Sequence, residues 1–258
     1  IAKKAKAKII LVHACDLLEL TFKDRLALKK EFNRKIIHEA NEKLSLCKKS
    51  IADIEKVPVQ TKLYKGLITD TILHSANVHK PDLIIMGTFG NARAKEKIFG
   101  SKTAGVIGKI NVPVLAVPLL SEWDIPKNIL LAINNFKEGT PALVGIVFEL
   151  AQLFNAGVHI IKFTDADTAH AIDYLSDERD GNAYVKKLQG IFKNVNIKFT
   201  HLDGHKFEKT IEKYIAGNNI DIVAMITHKR TLVKSVFKRS MTKRMSYHTS
   251  IPLLAIPA

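Results

Sequence analysis

The chain has 258 residues, 47% of them apolar and 25% charged, with 13 Gly, 8 Pro and 2 Cys. That composition excludes collagen-like, disordered and disulfide-scaffold classes, and the length suffices for one large domain or for two small ones with a core each. Forty Lys and Arg against 25 Asp and Glu leave a formal charge of +15, which favours anionic partners (nucleotides, nucleic acid, a membrane surface) or reflects a lysine-rich solvated face.

The first six residues, Ile-Ala-Lys-Lys-Ala-Lys, read as the end of a helix. Residues 8–14 are a short apolar run and predict a strand. Residues 23–49 place Leu26, Phe32, Ile36, Ile37, Ala40 and Leu44 at helical spacing. A strand at 59–64, a helix at 66–79 and a buried strand at 82–86 follow. A glycine-bearing loop then leads into a helix at 101–109, with Ser101 as its N-cap. The next strand, 113–117, opens on a proline, which a strand start tolerates. Beyond a polar stretch at 121–126 that holds the only Trp, strands are predicted at 129–133, 158–163, 195–200, 220–225 and 253–256. Helices at 140–154, about 174–192, 205–216 and 240–248 lie between them. Such alternation with apolar strands predicts an α/β fold built on doubly wound parallel sheets. No run of about 18 apolar residues occurs, so no membrane-spanning helix is expected. The apolar run after the basic start is too short for a signal peptide. With only Cys15 and Cys47, a reducing cytoplasm is the default location.

The chain repeats itself. Residues 113–118, Pro-Val-Leu-Ala-Val-Pro, return at 252–257 as Pro-Leu-Leu-Ala-Ile-Pro, an offset of 139. The same offset carries Asp82 and its apolar run onto Asp221 and its run, Ser101 onto Ser240, and Thr103 onto Thr242. Two tandem domains are therefore expected, 1–120 and 125–258. The second copy opens with a strand and a helix before residue 158, whereas the first opens at a helix end. The first copy is thus expected to lack its N-terminal strand and most of its first helix.

Met86 is followed by Gly87-Thr88-Phe89-Gly90, then nine residues, then Gly100-Ser101. This loop leaves the carboxyl end of a buried strand, the edge at which open α/β sheets bind ligands. Glycines there permit close backbone approach or positive φ, and a helix start at Gly100 and Ser101 offers N–H groups to an anion. The spacing is neither the Gly-x-x-x-x-Gly-Lys phosphate loop nor the Gly-x-Gly-x-x-Gly dinucleotide fingerprint. Glycines that serve only as turns fit the spacing equally well.

The pattern Gly87-x-x-Gly90, nine residues, Gly100-Ser101, followed by the strand from Val112 to Pro118, closely resembles the ATP-binding signature of the universal stress proteins. Residues 9–14 resemble that family's second strand. The resemblance covers the chain as a tandem pair. It implies the adenine-nucleotide alpha-hydrolase-like fold and ATP or AMP, with or without Mg, as ligand. It implies further that the glycines and Ser101 bind ribose and phosphates, and that Ala14 and the backbone near Met86 flank the adenine. Two departures stand out. Lys102 replaces a small apolar residue and adds either a phosphate contact or a solvated charge. The family's first strand carries an Asp near the adenine, and the first copy has no such strand.

At the 139 offset Gly87 becomes Ile226, Gly90 becomes Lys229 and Gly100 becomes Arg239, while Ser240 survives. Side chains replace the glycines, and Asn134 stands at the family's Asp position. The second copy is expected to have lost nucleotide binding and to serve as a structural partner. The basic stretch from Lys229 to Arg244 reads as a solvated face or a site for another anion. It lacks aromatic interleaving, which disfavours nucleic acid. His201, Asp203 and His205 have metal-like spacing but straddle a strand end and a helix start, and read as an exposed loop; no metal site is expected. Glu96 is the only acid between Gly87 and Ser101, so a nucleotide-binding module is expected in preference to an ATP hydrolase or phosphotransferase, and no catalytic residue is assigned. A scaffold acting through protein partners is the third reading. The strands from Val114 to Val117 and from Leu253 to Ile256, each bracketed by prolines, are expected to pair antiparallel within one chain, with a homodimer an option beyond that.

Overall fold

A computed structural model of the protein describes residues 1–18, 26–88, 101–119, 121–167, 171–228 and 251–258. The chain divides into two compact units, Ile1–Lys80 and Pro81–Ala258, so the division falls inside the first repeat.

The first unit runs α1 (Ala2–Ala5), β1 (Ile9–Cys15), α2 (Leu26–Glu55), β2 (Val59–Lys65) and α3 (Ile68–His79). β1 and β2 form a two-stranded parallel sheet with Ile9 opposite Val59 and Cys15 opposite Lys65. A parallel pair needs a long crossover, and the 30-residue α2 provides it. The chain leaves α2 through Lys56, whose φ of 56° is left-handed, and Pro58 follows two residues on. Gly66 has φ of 124°, a conformation that only glycine adopts cheaply, and its N–H donates to the Cys15 carbonyl at 2.9 Å, closing the end of the ladder.

The second unit contains β3 (Ile84–Thr88), α4 (Ser101–Ile107), β4 (Val114–Pro118), β5 (Asn128–Ala132), α5 (Pro141–Phe154), β6 (Gly157–Asp165), α6 (Ala171–Ile191), β7 (Ile197–Gly204), α7 (Phe207–Gly217), β8 (Ile222–Thr227) and β9 (Leu253–Pro257). Its seven strands lie in the order β3-β4-β9-β8-β5-β6-β7. Every neighbouring pair is parallel except β4 and β9, which run antiparallel with Val114 opposite Ala255, Leu115 opposite Leu254 and Ala116 opposite Leu253. The central strands are buried on both faces: Leu130, Leu131, Ala224 and Leu254 are inaccessible to solvent. Helix α5 explains one layer. Thr140 caps it by accepting from the Leu143 N–H, Pro141 sits in its first turn, and Val144, Val147 and Phe148 turn inward. Phe148 then stacks on Phe192 with ring centroids 4.2 Å apart.

The second repeat thus supplies five strands to one sheet, with β5 between β8 and β6. The first supplies four, divided between the two sheets, and among the described residues none takes the place that β5 holds in its partner. Two readings of the sequence are adjusted. Strand β3 ends at Thr88, so Gly87 belongs to the ladder and not to the loop after it, and α4 begins at Ser101 itself. The helix expected at 240–248 and the basic stretch from Lys229 to Arg244 lie outside the described residues. No helix among the described residues is long and apolar enough to cross a membrane.

Candidate functional site

The carboxyl end of β3 carries the first group of candidate residues. Met86 is half-buried opposite Ala116, and Gly87 is exposed opposite Val117. Gly87 is extended: the only described glycine with positive φ is Gly66. Of the two reasons the sequence offers for this glycine, close backbone approach or positive φ, the second does not hold, because a β ladder needs none. Nor does packing against the described residues require it, since a Cβ at Gly87 would meet none of their atoms within 4 Å. Its repeat mate Ile226 occupies the same register opposite Ile256 and carries a full side chain. Glycine at position 87 is thus demanded neither by the backbone nor by the described residues around it. Beside it, Thr88 is 2% exposed and its hydroxyl has no hydrogen-bond partner among the described residues. The open face at Gly87 leaves room for a ligand at this sheet edge, while Thr88, the next strand residue, turns to the opposite, buried face. Ser101 and Lys102 open α4, with Lys102 exposed. Gly90 and Gly100 lie outside the described residues.

Ala14 belongs to the first unit. It lies near the carboxyl end of β1 and lines a cleft of about 190 Å³ between that strand and Ile36, Ala40 and Lys43 of α2. Cys15 also lines it, 2% exposed, and burial pushes its thiol pKa above the ordinary value. Such a thiol stays protonated at neutral pH and unreactive.

The structure aligns β1 with β6. Lys6 and Asn155 both end their helices in the left-handed conformation, and the following N–H groups reach back to the Ala2 and Ala151 carbonyls. Ile9 and Val158 then open equivalent ladders, donating to the Pro58 and Asn196 carbonyls. This correspondence sets Phe163 at the place of Ala14, Lys162 at that of His13 and Thr164 at that of Cys15. The Phe163 ring meets Phe207 edge-on at 5.2 Å. Lys162 pairs with Asp177, and the Thr164 hydroxyl lies 3.3 Å from Asp177 Oδ2 and 2.7 Å from His201 Nε2. Tyr174 covers the His201 ring at 5.0 Å. Where the first repeat has a cleft between β1 and α2, the second has Lys162, Thr164, Asp177 and His201 interlocked between β6, β7 and α6, while Phe163 packs on the other face against α7. His201 is consequently a half-buried strand residue and not part of an exposed loop. His205 alone is exposed, bonded to Asp167 at 2.7 Å. Sequence reasoning passed over Thr88 and the Lys162–Asp177 pair. The 139 offset, which aligns Thr88 with Thr227, was the available signal for the first.

Comparison with known proteins bears directly on these two repeats. The profile of the Universal stress protein family matches residues 1–118 and 126–257. The chain belongs to the universal stress protein family. The universal stress protein MJ0577 of Methanocaldococcus jannaschii is 32% identical over 130 residues, 45% of this chain and 80% of the relative. Among solved structures, a universal stress protein from Archaeoglobus fulgidus DSM 4304 superposes with a TM-score of 0.75 at 15% identity, covering 99% of this chain and 89% of its own. A functionally unknown protein from Pseudomonas aeruginosa PAO1 gives 0.63 at 17% identity, covering 99% and 94%. At such identities the superpositions establish the fold, and the family assignment rests on the sequence profile and the curated relative. In this universal stress protein the two matched segments coincide with the two repeats.

Proposed function

We propose that this universal stress protein binds an adenine nucleotide, ATP or AMP, in its first repeat, and that the second repeat is a structural partner that has lost the site. Gly87 carries the proposal: it is a glycine at the carboxyl edge of the sheet that neither its backbone nor the described residues around it require. A ligand lying against the strand end supplies the missing reason. The glycine signature supports the same reading, with Gly90, Gly100 and Ser101 as the phosphate and ribose contacts and Met86 and Ala14 beside the base. Lys102, exposed at the start of α4, adds positive charge for a phosphate. Ile226 and Phe163 fill the corresponding positions of the second repeat. On this reading the domains are 1–120 and 125–258, the antiparallel ladder of β4 and β9 joins them as an internal dimer, and the nucleotide serves a stress response in the cell.

Replacing Gly87 with Val puts a branched side chain on the open face while keeping a good strand former. Calorimetric titration with ATP and with AMP should lose its signal for Gly87→Val, with the melting temperature unchanged. A Gly87→Val chain that binds either nucleotide as tightly as the wild type would contradict the proposal.

A further inference from the structure

The amino edge of the two-stranded sheet in the first unit is basic. Lys3 and Lys4 lie in α1, Lys6 and Lys8 lead from it into β1, and Lys56 leads from α2 toward β2. All five are exposed. They share one edge because β1 and β2 run parallel with Ile9 opposite Val59, and the Ile9 N–H donates to the Pro58 carbonyl at 2.8 Å. Lys48 and Lys49, exposed near the end of α2, extend the charge. The acids in these stretches are Asp53 and Glu55. Among the described residues no ion pair holds Lys3, Lys6, Lys8 or Lys56.

The fold does not require these charges. The correspondence of β1 with β6 and of β2 with β7 sets Gln152, Leu153, Asn155, Gly157 and Asn194 at the places of Lys3, Lys4, Lys6, Lys8 and Lys56. The second repeat thus builds the same helix end and the same ladder with uncharged residues. Gathered lysines repel one another, and an anionic partner relieves that repulsion. Two apolar side chains indicate which partner. Ile54 in the last turn of α2 is 69% exposed, and Leu46, about 12 Å back along the helix, is 68% exposed. Nucleic-acid surfaces use arginine and aromatic stacking, and residues 1–8 and 46–58 contain neither. Lysines around protruding aliphatic side chains instead suit an anionic bilayer, with ammonium groups at the headgroups and apolar side chains in the interface.

We propose that this edge is a docking surface for an anionic phospholipid membrane, with Lys3, Lys4, Lys6, Lys8 and Lys56 on the headgroups and Leu46 and Ile54 entering the acyl boundary. The edge lies at the opposite end of β1 from Ala14, and the proposal does not depend on nucleotide binding.

The test is co-sedimentation of the full chain with vesicles of neutral phosphatidylcholine and with vesicles rich in phosphatidylserine, at an ionic strength of about 0.15 M. A DNA duplex and a single-stranded RNA serve as rival ligands. The wild type should bind the anionic vesicles and not the neutral ones. A chain with Lys3→Gln, Lys6→Asn, Lys8→Gln and Lys56→Asn should bind them at least about a hundredfold more weakly, near fivefold for each lysine. Asparagine suits the left-handed backbone at positions 6 and 56. A control chain with Lys186→Gln, Lys187→Gln, Lys193→Gln and Lys209→Gln loses the same charge from exposed positions of the second repeat and should bind within about threefold of the wild type. Leu46→Gln with Ile54→Gln should cost at least about tenfold. All variants should melt with the wild type, since every replaced side chain is exposed. No binding of the wild type to anionic vesicles, equal losses in the two lysine variants, or full binding after loss of Leu46 and Ile54 would each overturn the proposal. So would tighter binding to DNA or RNA than to vesicles, abolished by the first lysine variant, which would reassign the edge to nucleic acid.

Discussion

His159 shows how burial sets the chemistry of a single residue. It lies on β6 with 7% exposure, its Nδ1 3.3 Å from the Tyr214 hydroxyl, which in turn lies 3.1 Å from that of Thr200. Desolvation, reinforced by the nearby Lys198 charge, lowers its pKa from 6.5 to about 4. The folded protein therefore holds a neutral imidazole hydrogen-bonded through Nδ1 to the Tyr214 hydroxyl, while the unfolded chain takes up a proton on acidification. Between about pH 6.5 and 4 the unfolded state binds more protons, so stability falls as pH falls through that window. The loss approaches about 3 kcal/mol once the lower limit is passed. Chemical denaturation at pH 7 and pH 4.5 should show this difference for the wild type and a much smaller one for His159→Gln. An equal pH dependence in both would remove His159 as its source. At this scale the sequence was partly legible. The apolar run around residue 159 foretold burial, but Tyr214 lies 55 residues away, and no local pattern links the two. Gly87 was misread for a related reason: a glycine after an apolar run signals a turn, whereas the register with Val117 keeps it in the strand.

At the level of elements, the order of strands and helices follows from alternating short apolar runs and helical periodicity, and the structure keeps that order wherever it describes the chain. How the elements press together was not legible. Gly181 of α6 is an example, because nothing in its neighbourhood of sequence announces that Phe199 of β7 lies directly over it. A Cβ there would come closer than 3.0 Å to the Phe199 ring. Alanine normally strengthens a helix by up to about 1 kcal/mol relative to glycine. At Gly181 the displaced ring should outweigh that gain, and Gly181→Ala should destabilise the protein by about 1–3 kcal/mol. Phe136, which packs at 5.2 Å from Tyr184 and 5.7 Å from Phe199, would be disturbed with it. Urea denaturation checks this, and a stabilised Gly181→Ala would show that the helix and strand can separate at no cost. The strand pairing was more accessible to sequence reasoning. Prolines 113, 118, 252 and 257 bracket two short apolar strands, and β4 and β9 meet over the stretch between them.

Across the whole molecule, the repeat itself was legible because polar landmarks recur at one offset along with the apolar strands. The distribution of strands between two sheets was not, since pairing depends on contacts that no periodicity encodes. The consequence of the repeat is asymmetry. One copy keeps Gly87 and an open cleft beside Ala14, and the other carries Ile226, Phe163 and the Lys162–Asp177 pair at the matching places. A chain with two family domains is therefore expected to behave as a protein with a single site. Titration of ATP into the full chain, read by calorimetry, tests this most directly. The account predicts saturation at one nucleotide per chain, with AMP competing for the same site. The absence of binding, or saturation at two nucleotides per chain, would contradict it.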